Sequence, residues 1–269
     1  MIPSLLSISA SDSSSGAGMQ QDIKVASDLG CWALTALTGI TVQDFTHVYR
    51  VHAVPDEWFA QQLSTCLNHF RVDVIKIGTL CNRIHLQTTI DLLQAHPDIP
   101  VVLDPVLFSS RATPLLDTDA WSLMKQELFP LCQLITPNRQ EFELLCGRDF
   151  AQHKEAVWTA QQKSNEWQTS ILLKGGHYEG ESVQDTLIHS QEVRIFTHTK
   201  SNWTYQHGTG CTLSTAIACQ LALGKSMEAA YQQAVDYLQF YFTSINKHRL
   251  YENQHRKRRT ESPGAGGLP

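Results

Sequence analysis

A chain of 269 residues with 42% hydrophobic and 17% charged residues is long enough to fold around one large core, and a single α/β domain is expected. The formal net charge is -5, and the basic excess collects at His255, Arg256, Lys257, Arg258 and Arg259, which excludes a nucleic-acid-binding body and leaves any polyanion binding to that tail. Seven cysteines with no CxxC pair exclude a disulfide framework and a structural zinc site, and no apolar run reaches ~18 residues. A cytoplasmic protein, neither secreted nor membrane-spanning, is expected.

The first apolar run predicts a strand over residues 4–9. It runs into a Ser/Gly stretch, Ser11 to Gly18, that opens a helix over 19–29 carrying Gln20 and Asp22. That stretch could cradle an anion or close over a substrate. It is not a Walker A loop, since no Gly-Lys-Ser/Thr follows, and it lacks the third glycine and downstream acid of a dinucleotide fingerprint. Strands follow over 32–40, 74–77, 101–104, 134–136 and 170–173, alternating with helical patterns over 56–68, 83–95, 119–128, 139–146 and 150–165. Such alternation predicts a mostly parallel sheet covered on both faces. Near the end, residues 185–189 and 192–197 read as an antiparallel pair, and 226–247 as a long helix. Residues 251–269 hold too few apolar side chains to offset the entropy of ordering, so a domain over 1–250 and a disordered tail over 251–269 are expected.

In parallel α/β sheets, ligands sit beyond the carboxyl ends of the strands, so the residues that close each strand carry the functional signal. Asp104 ends one apolar strand. After another comes Thr136, Pro137, Asn138, with Glu141 three residues on, which reads either as a plain capping box or as a polar cluster at the site. Lys174 is followed by Gly175, Gly176 and His177, where glycines let a ligand approach the backbone. The strongest signal is His207, Gly208, Thr209, Gly210, Cys211, Thr212, Leu213, Ser214. Two glycines open a helix there whose first-turn N–H groups have no intrahelical acceptor and suit an anion. Cys211 lies in that turn, where the positive end of the macrodipole is expected to lower the thiol's pKa. A small buried thiol on an ordinary core helix is the plainer alternative.

Taken together, SASDSSSGAGMQQDIK at 9–24, TALTGITVQD at 35–44, KIGTL at 76–80, LDPV at 103–106, ITPNRQE at 135–141, LLKGGH at 172–177 and HGTGCTLSTAIA at 207–218 resemble one family. They are similar to the hydroxymethylpyrimidine and phosphomethylpyrimidine kinases of thiamine biosynthesis, within the ribokinase-like superfamily, over residues 4–247. The resemblance implies a three-layer α/β/α sandwich with a mostly parallel central sheet, and ATP-dependent phosphorylation of 4-amino-5-hydroxymethyl-2-methylpyrimidine and its monophosphate.

By the same resemblance, Gly208 and Gly210 belong to the anion hole for the transferring phosphoryl group, and Cys211 is the catalytic residue. Asn138 and Glu141 hold Mg²⁺ and its waters; Lys174, Gly176 and Thr209 lie on the ATP side; Asp22, Val42 and Gln43 hold the pyrimidine. A homodimer is implied as well. Thr79 stands where the family often has methionine, and Tyr205 and Gln206 replace asparagine and threonine. Two other readings stay open: a pyridoxine or pyridoxal kinase with the same machinery, and a non-catalytic ligand-binding relative.

Overall fold

The computed structural model describes residues 1–45, 47–108, 115–116, 118–175, 182–189 and 192–260, with side chains up to 247. Among these, the strands are β1 (Ser4–Asp12), β2 (Trp32–Gln43), β3 (Val48–Ala53), β4 (Val74–Ile77), β5 (Val101–Leu103), β6 (Leu134–Ile135), β7 (Ser170–Leu173), β8 (Ser182–His189) and β9 (Glu192–Thr199). They form one sheet in the order β3-β2-β1-β4-β5-β6-β7-β8-β9. The six central strands β2, β1, β4, β5, β6 and β7 run parallel, while β3, β8 and β9 pair antiparallel at the two edges.

Helices cover both faces. One face packs Leu6, Ile8, Ile75, Ile77, Leu103 and Ile135 against α2 (Asp56–His69), α3 (Arg83–Ala95), α5 (Arg139–Cys146) and α6 (His153–Glu166). The short helix α4 (Ala120–Leu123) joins the same layer through Ala120 and Leu123. The other face packs Leu5, Val74, Val102, Leu134 and Leu172 against α1 (Gly18–Asp28), α7 (Thr209–Ala222) and α8 (Met227–Thr260). Because side chains alternate along a strand, the polar residues that share parity with that second set fall on the face of α1 and α7. Ser7, Lys76, Asp104, Thr136 and Lys174 are those residues, and their clustering follows from period-two geometry in adjacent parallel strands.

Several boundaries differ from the sequence expectation. β2 continues past residue 40 to Gln43 and turns into β3, which the periodicity does not reveal because its residues are half-exposed on both faces. The helix expected over 119–128 breaks into α4, a π-turn over Met124–Leu128 and a 3-10 turn over Phe129–Leu131. Pro130 cannot donate a main-chain hydrogen bond there. α6 begins at His153 rather than at Phe150, whose ring is instead stacked on Phe142 at 5.6 Å. α8 runs on through residues 251–260, which were expected to be disordered. That stretch is rich in Glu, Gln, Arg and Lys and contains neither glycine nor proline, so local propensity favours a helix.

Candidate active site

The carboxyl ends of β1, β5, β6 and β7 and the N-terminus of α7 open onto one cavity of about 1300 Å³. At its floor, Asp104 follows β5 and Lys174 follows β7. Lys174 Nζ donates to Asp104 Oδ1 at 3.0 Å, and Thr136 Oγ1 donates to the same oxygen at 3.1 Å. Burial disfavours the Lys174 ammonium, but Asp104 and Glu141 more than offset this and raise its pKa, so the lysine stays charged. α7 begins directly above. A Cβ on Gly210 would lie 3.4 Å from both Asp104 Oδ2 and Lys174 Nζ, which puts the first turn of α7 against this ion pair.

Gly208 is the N-cap of α7, with φ of 87° and no side-chain cap; Thr209 N donates to Gln206 O at 3.3 Å, and the Gly210 and Cys211 amides that follow lack an intrahelical acceptor. The residue must be glycine for a second reason: a Cβ there would sit 1.8 Å from Gly16 O. The two glycine-containing loops thus meet backbone to backbone. Expectation and structure differ on the 11–18 loop, because its amides already have an acceptor. Ser14 N donates to Asp12 Oδ1 at 2.7 Å, while Ala17 N and Gly16 N reach Asp12 Oδ2 at 2.7 and 3.1 Å. His207 Nε2 lies 2.9 Å from the same Oδ2. Burial alone would raise the Asp12 pKa, but the bonds from His207, Ser14 and Gln43 overcome it and hold the carboxyl well below its usual range. Asp12 therefore ties the loop to the start of α7 rather than leaving an anion cradle.

Cys211 lines the cavity, and here the expectation is corrected. Burial pushes the thiol up to about 11; Lys76 opposes this, Asp104 and Asp22 add to it, and a bond from the Gly18 amide pulls the other way. The helix terminus does not produce an acidic thiol, because desolvation and two carboxylates outweigh it.

Asn138 and Glu141 form a complete capping box: Asn138 Oδ1 accepts from Glu141 N at 2.9 Å, and Glu141 Oε2 accepts from Asn138 N at 2.7 Å. Both line the cavity beside Asp104 and Lys174. Burial raises the Glu141 carboxyl to about 7, with Lys174 pulling down, Asp104 pushing up and the Asn138 amide pulling down. An approaching cation would return it to the charged form.

Of the residues singled out in the sequence, Gly208, Thr209, Gly210, Cys211, Gln43, Lys174, Asn138 and Glu141 surround this one cavity. Val42 does not line it; its side chain is on the outer side of β2, 56% exposed. Asp22 lies beneath the cavity, fully buried in an ion pair with Lys76. Gly176 lies outside the described residues. Sequence reasoning passed over Lys76, although a lysine inside the fully buried run Val74–Ile77 was itself a signal. The Asp12–His207 bond, spanning most of the chain, left no local trace.

An anion-receptive helix N-terminus facing an acidic strand end across a mostly parallel sheet defines a kinase of the ribokinase-like class. The chain belongs to the phosphomethylpyrimidine kinase family, whose model matches residues 12–254, and it is a phosphotransferase. It is 32% identical over 242 residues to a hydroxymethylpyrimidine/phosphomethylpyrimidine kinase of Haemophilus influenzae, covering 88% of this chain and 90% of the relative. A phosphomethylpyrimidine kinase of Clostridium difficile superposes with a TM-score of 0.75 at 27% identity, over 91% of this chain and 99% of that one. An ADP complex of a Bacillus subtilis pyridoxal kinase superposes at 0.78 with 27% identity, over 88% and 90%.

Proposed function

We propose that this enzyme transfers the γ-phosphoryl group of ATP to the hydroxymethyl group of 4-amino-5-hydroxymethyl-2-methylpyrimidine and then phosphorylates the resulting monophosphate, in thiamine biosynthesis. The observation that carries the reading is the single cavity that joins Gln43 to the N-terminus of α7 and to the Asp104–Lys174 pair. An amide both donates and accepts, so Gln43 suits the ring nitrogen and amino group of an aminopyrimidine. Gly208 and Gly210 offer main-chain N–H groups to charge developing on the phosphoryl oxygens. Lys174, Gly176 and Thr209 belong to the nucleotide side. Cys211 orients the hydroxymethyl group and takes its proton late, through the thiolate form.

The residues at Asn138 and Glu141 fit a magnesium ion of the kind that accompanies ATP. Glu141 supplies a hard oxygen, and its Oε1 lies outside the capping box; the box itself commits Asn138 to Glu141's amide, so Asn138 orients the carboxylate. Magnesium takes few protein ligands and keeps waters and phosphate oxygens. When bound, the ion supplies charge neutralisation at the β and γ phosphates.

A pyridoxal kinase is the second reading, favoured by the likeness to the Bacillus subtilis enzyme and by Thr79, a small side chain on the cavity wall. Purified protein with ATP and magnesium is offered the pyrimidine, its monophosphate and pyridoxal, and ADP is measured. Turnover of both pyrimidines supports the proposal, turnover of pyridoxal alone replaces it with the second reading, and no ADP above background overturns both. Exposed Ile40, Val42 and Tyr49 on the β2–β3 edge support a homodimer, checked by sedimentation. No helix among the described residues is long and apolar enough to cross a membrane; a cytoplasmic location remains part of this proposal.

A further inference from the structure

Lys76 and Asp22 are both completely shielded from solvent, and neither has a place in the reaction outlined above. Lys76 Nζ lies 2.9 Å from both oxygens of Asp22. Asp22 Oδ1 also accepts from Thr215 Oγ1 at 2.7 Å, and Oδ2 from Ser7 Oγ at 2.6 Å. These bonds occupy both carboxylate oxygens, so Asp22 presents nothing to a pyrimidine. A buried ion pair gains a fold little or nothing over apolar residues of the same volume. Its position gives it another use.

The pair sits one helical turn below Cys211. Gly18, at the start of α1, gives its amide to Cys211, and Asp22, four residues on, takes the hydroxyl of Thr215, four residues beyond Cys211. Between these rungs, Gln21 Nε2 donates to Thr212 Oγ1 at 2.9 Å. α1 and α7 are therefore locked in register, with Cys211 held at one rung and the Asp22–Lys76 pair at the rung one helical turn further along α7. A Cβ on Gly78 would lie 3.1 Å from Lys76 Nζ, so the ammonium is packed from the sheet side too.

We propose that Lys76, fixed by Asp22, is a positioning residue for Cys211: a permanent positive charge under the thiol that favours the thiolate and holds it toward the reacting alcohol. Lys76 keeps its proton throughout; its charge, not its hydrogen, does the work. Burial pulls its pKa down, but Asp22, Cys211 and Asp104 outweigh this and hold it above the ordinary lysine value. The groups facing Cys211 are Lys76 from β4, Asp104 beyond β5, Asp22 from α1 and Lys174 beyond β7; of these, Lys76 acts most strongly. The proposal rests on the reading of Cys211 as the residue at the alcohol, but its test does not depend on turnover.

The test is the rate of alkylation of Cys211 by iodoacetamide at pH about 8 to 9, where the thiolate is a minor fraction and the rate follows it in proportion, monitored on the Cys211 peptide by mass spectrometry. Lys76→Met slows alkylation about tenfold or more, because loss of a nearby opposite charge raises the thiol's pKa by about one unit or more and the thiolate fraction falls in proportion. Should Lys76→Met, which leaves Asp22 buried without its partner, fail to fold, the double variant Lys76→Met/Asp22→Asn removes both charges and retains hydrogen bonding to Ser7 and Thr215; its alkylation slows as well, because Lys76 is the stronger influence on the thiol. An alkylation rate within about twofold of the parent in the variant that folds overturns the proposal. Turnover supplies the second readout: kcat falls at least tenfold in Lys76→Met with both KM values within about twofold. If no alcohol is phosphorylated by the parent enzyme, the functional reading falls while the alkylation rates still decide the role of Lys76.

Discussion

Gly210→Ala separates the stability of α7 from its function. Gly210 lies within the helix Thr209–Ala222 and is not among the glycines with positive φ. Alanine there is favoured by about 0.5–1 kcal/mol over glycine. The added Cβ meets Asp104 Oδ2 and Lys174 Nζ at 3.4 Å, which is tight but tolerable. For a chain of this size, each kcal/mol moves Tm by about 2–4 °C, so the variant melts about 1–4 °C higher. The same methyl group occupies the space where a phosphoryl oxygen would meet the first-turn amides. Loss of one such donor costs about 10²–10³ in rate, or roughly 3–4 kcal/mol of barrier. Thermal melts and steady-state ADP release from one preparation give both numbers. A lower Tm would refute the packing argument, and a kcat within twofold of the parent would show that no transferring group sits at this turn.

Gly208→Ala behaves in the opposite way. Its φ of 87° costs a non-glycine residue about 1–2 kcal/mol, and the overlap with Gly16 O forces the 11–18 loop away at about 1–3 kcal/mol more. Tm falls by about 4–20 °C, and differential scanning calorimetry reads it. With the Cys211 thiol pushed up to about 11, the reactive thiolate is a small fraction at neutral pH. log kcat therefore climbs by about one per pH unit between pH 7 and 9, and the slope disappears in Cys211→Ala; a flat parent profile would remove the thiolate from the mechanism.

The parallel core was readable because each buried strand is a short apolar run between turn residues. Residues 74–77 and 170–173, and the helices over 83–95 and 139–146, lie at the expected positions. β3 escaped detection because an edge strand exposed on both faces has no hydrophobic alternation to find. At the site, local motifs disclosed what lies within one turn of sequence, such as the Gly208–Cys211 run and the Asn138–Glu141 box. The protonation behaviour was not local. Cys211 sits at a helix N-terminus, yet its thiol answers to Asp104, Asp22 and Lys76, contributed by three other segments. Asp22 looked like a ligand for the same reason: only the fold reveals that Lys76, Ser7 and Thr215 occupy its oxygens.

The shared parity of Ser7, Lys76, Asp104, Thr136 and Lys174 makes the site a reading frame. Removing one residue from β4 would exchange Lys76 for an isoleucine on the face of α7 and drive a lysine into the apolar layer beneath α2 and α3. Insertions in the connections after the strands leave the frame untouched. Sequence drift can thus lengthen or shorten the loops around the cavity, and with them the choice of alcohol, while the strands beneath tolerate substitution but no change of length.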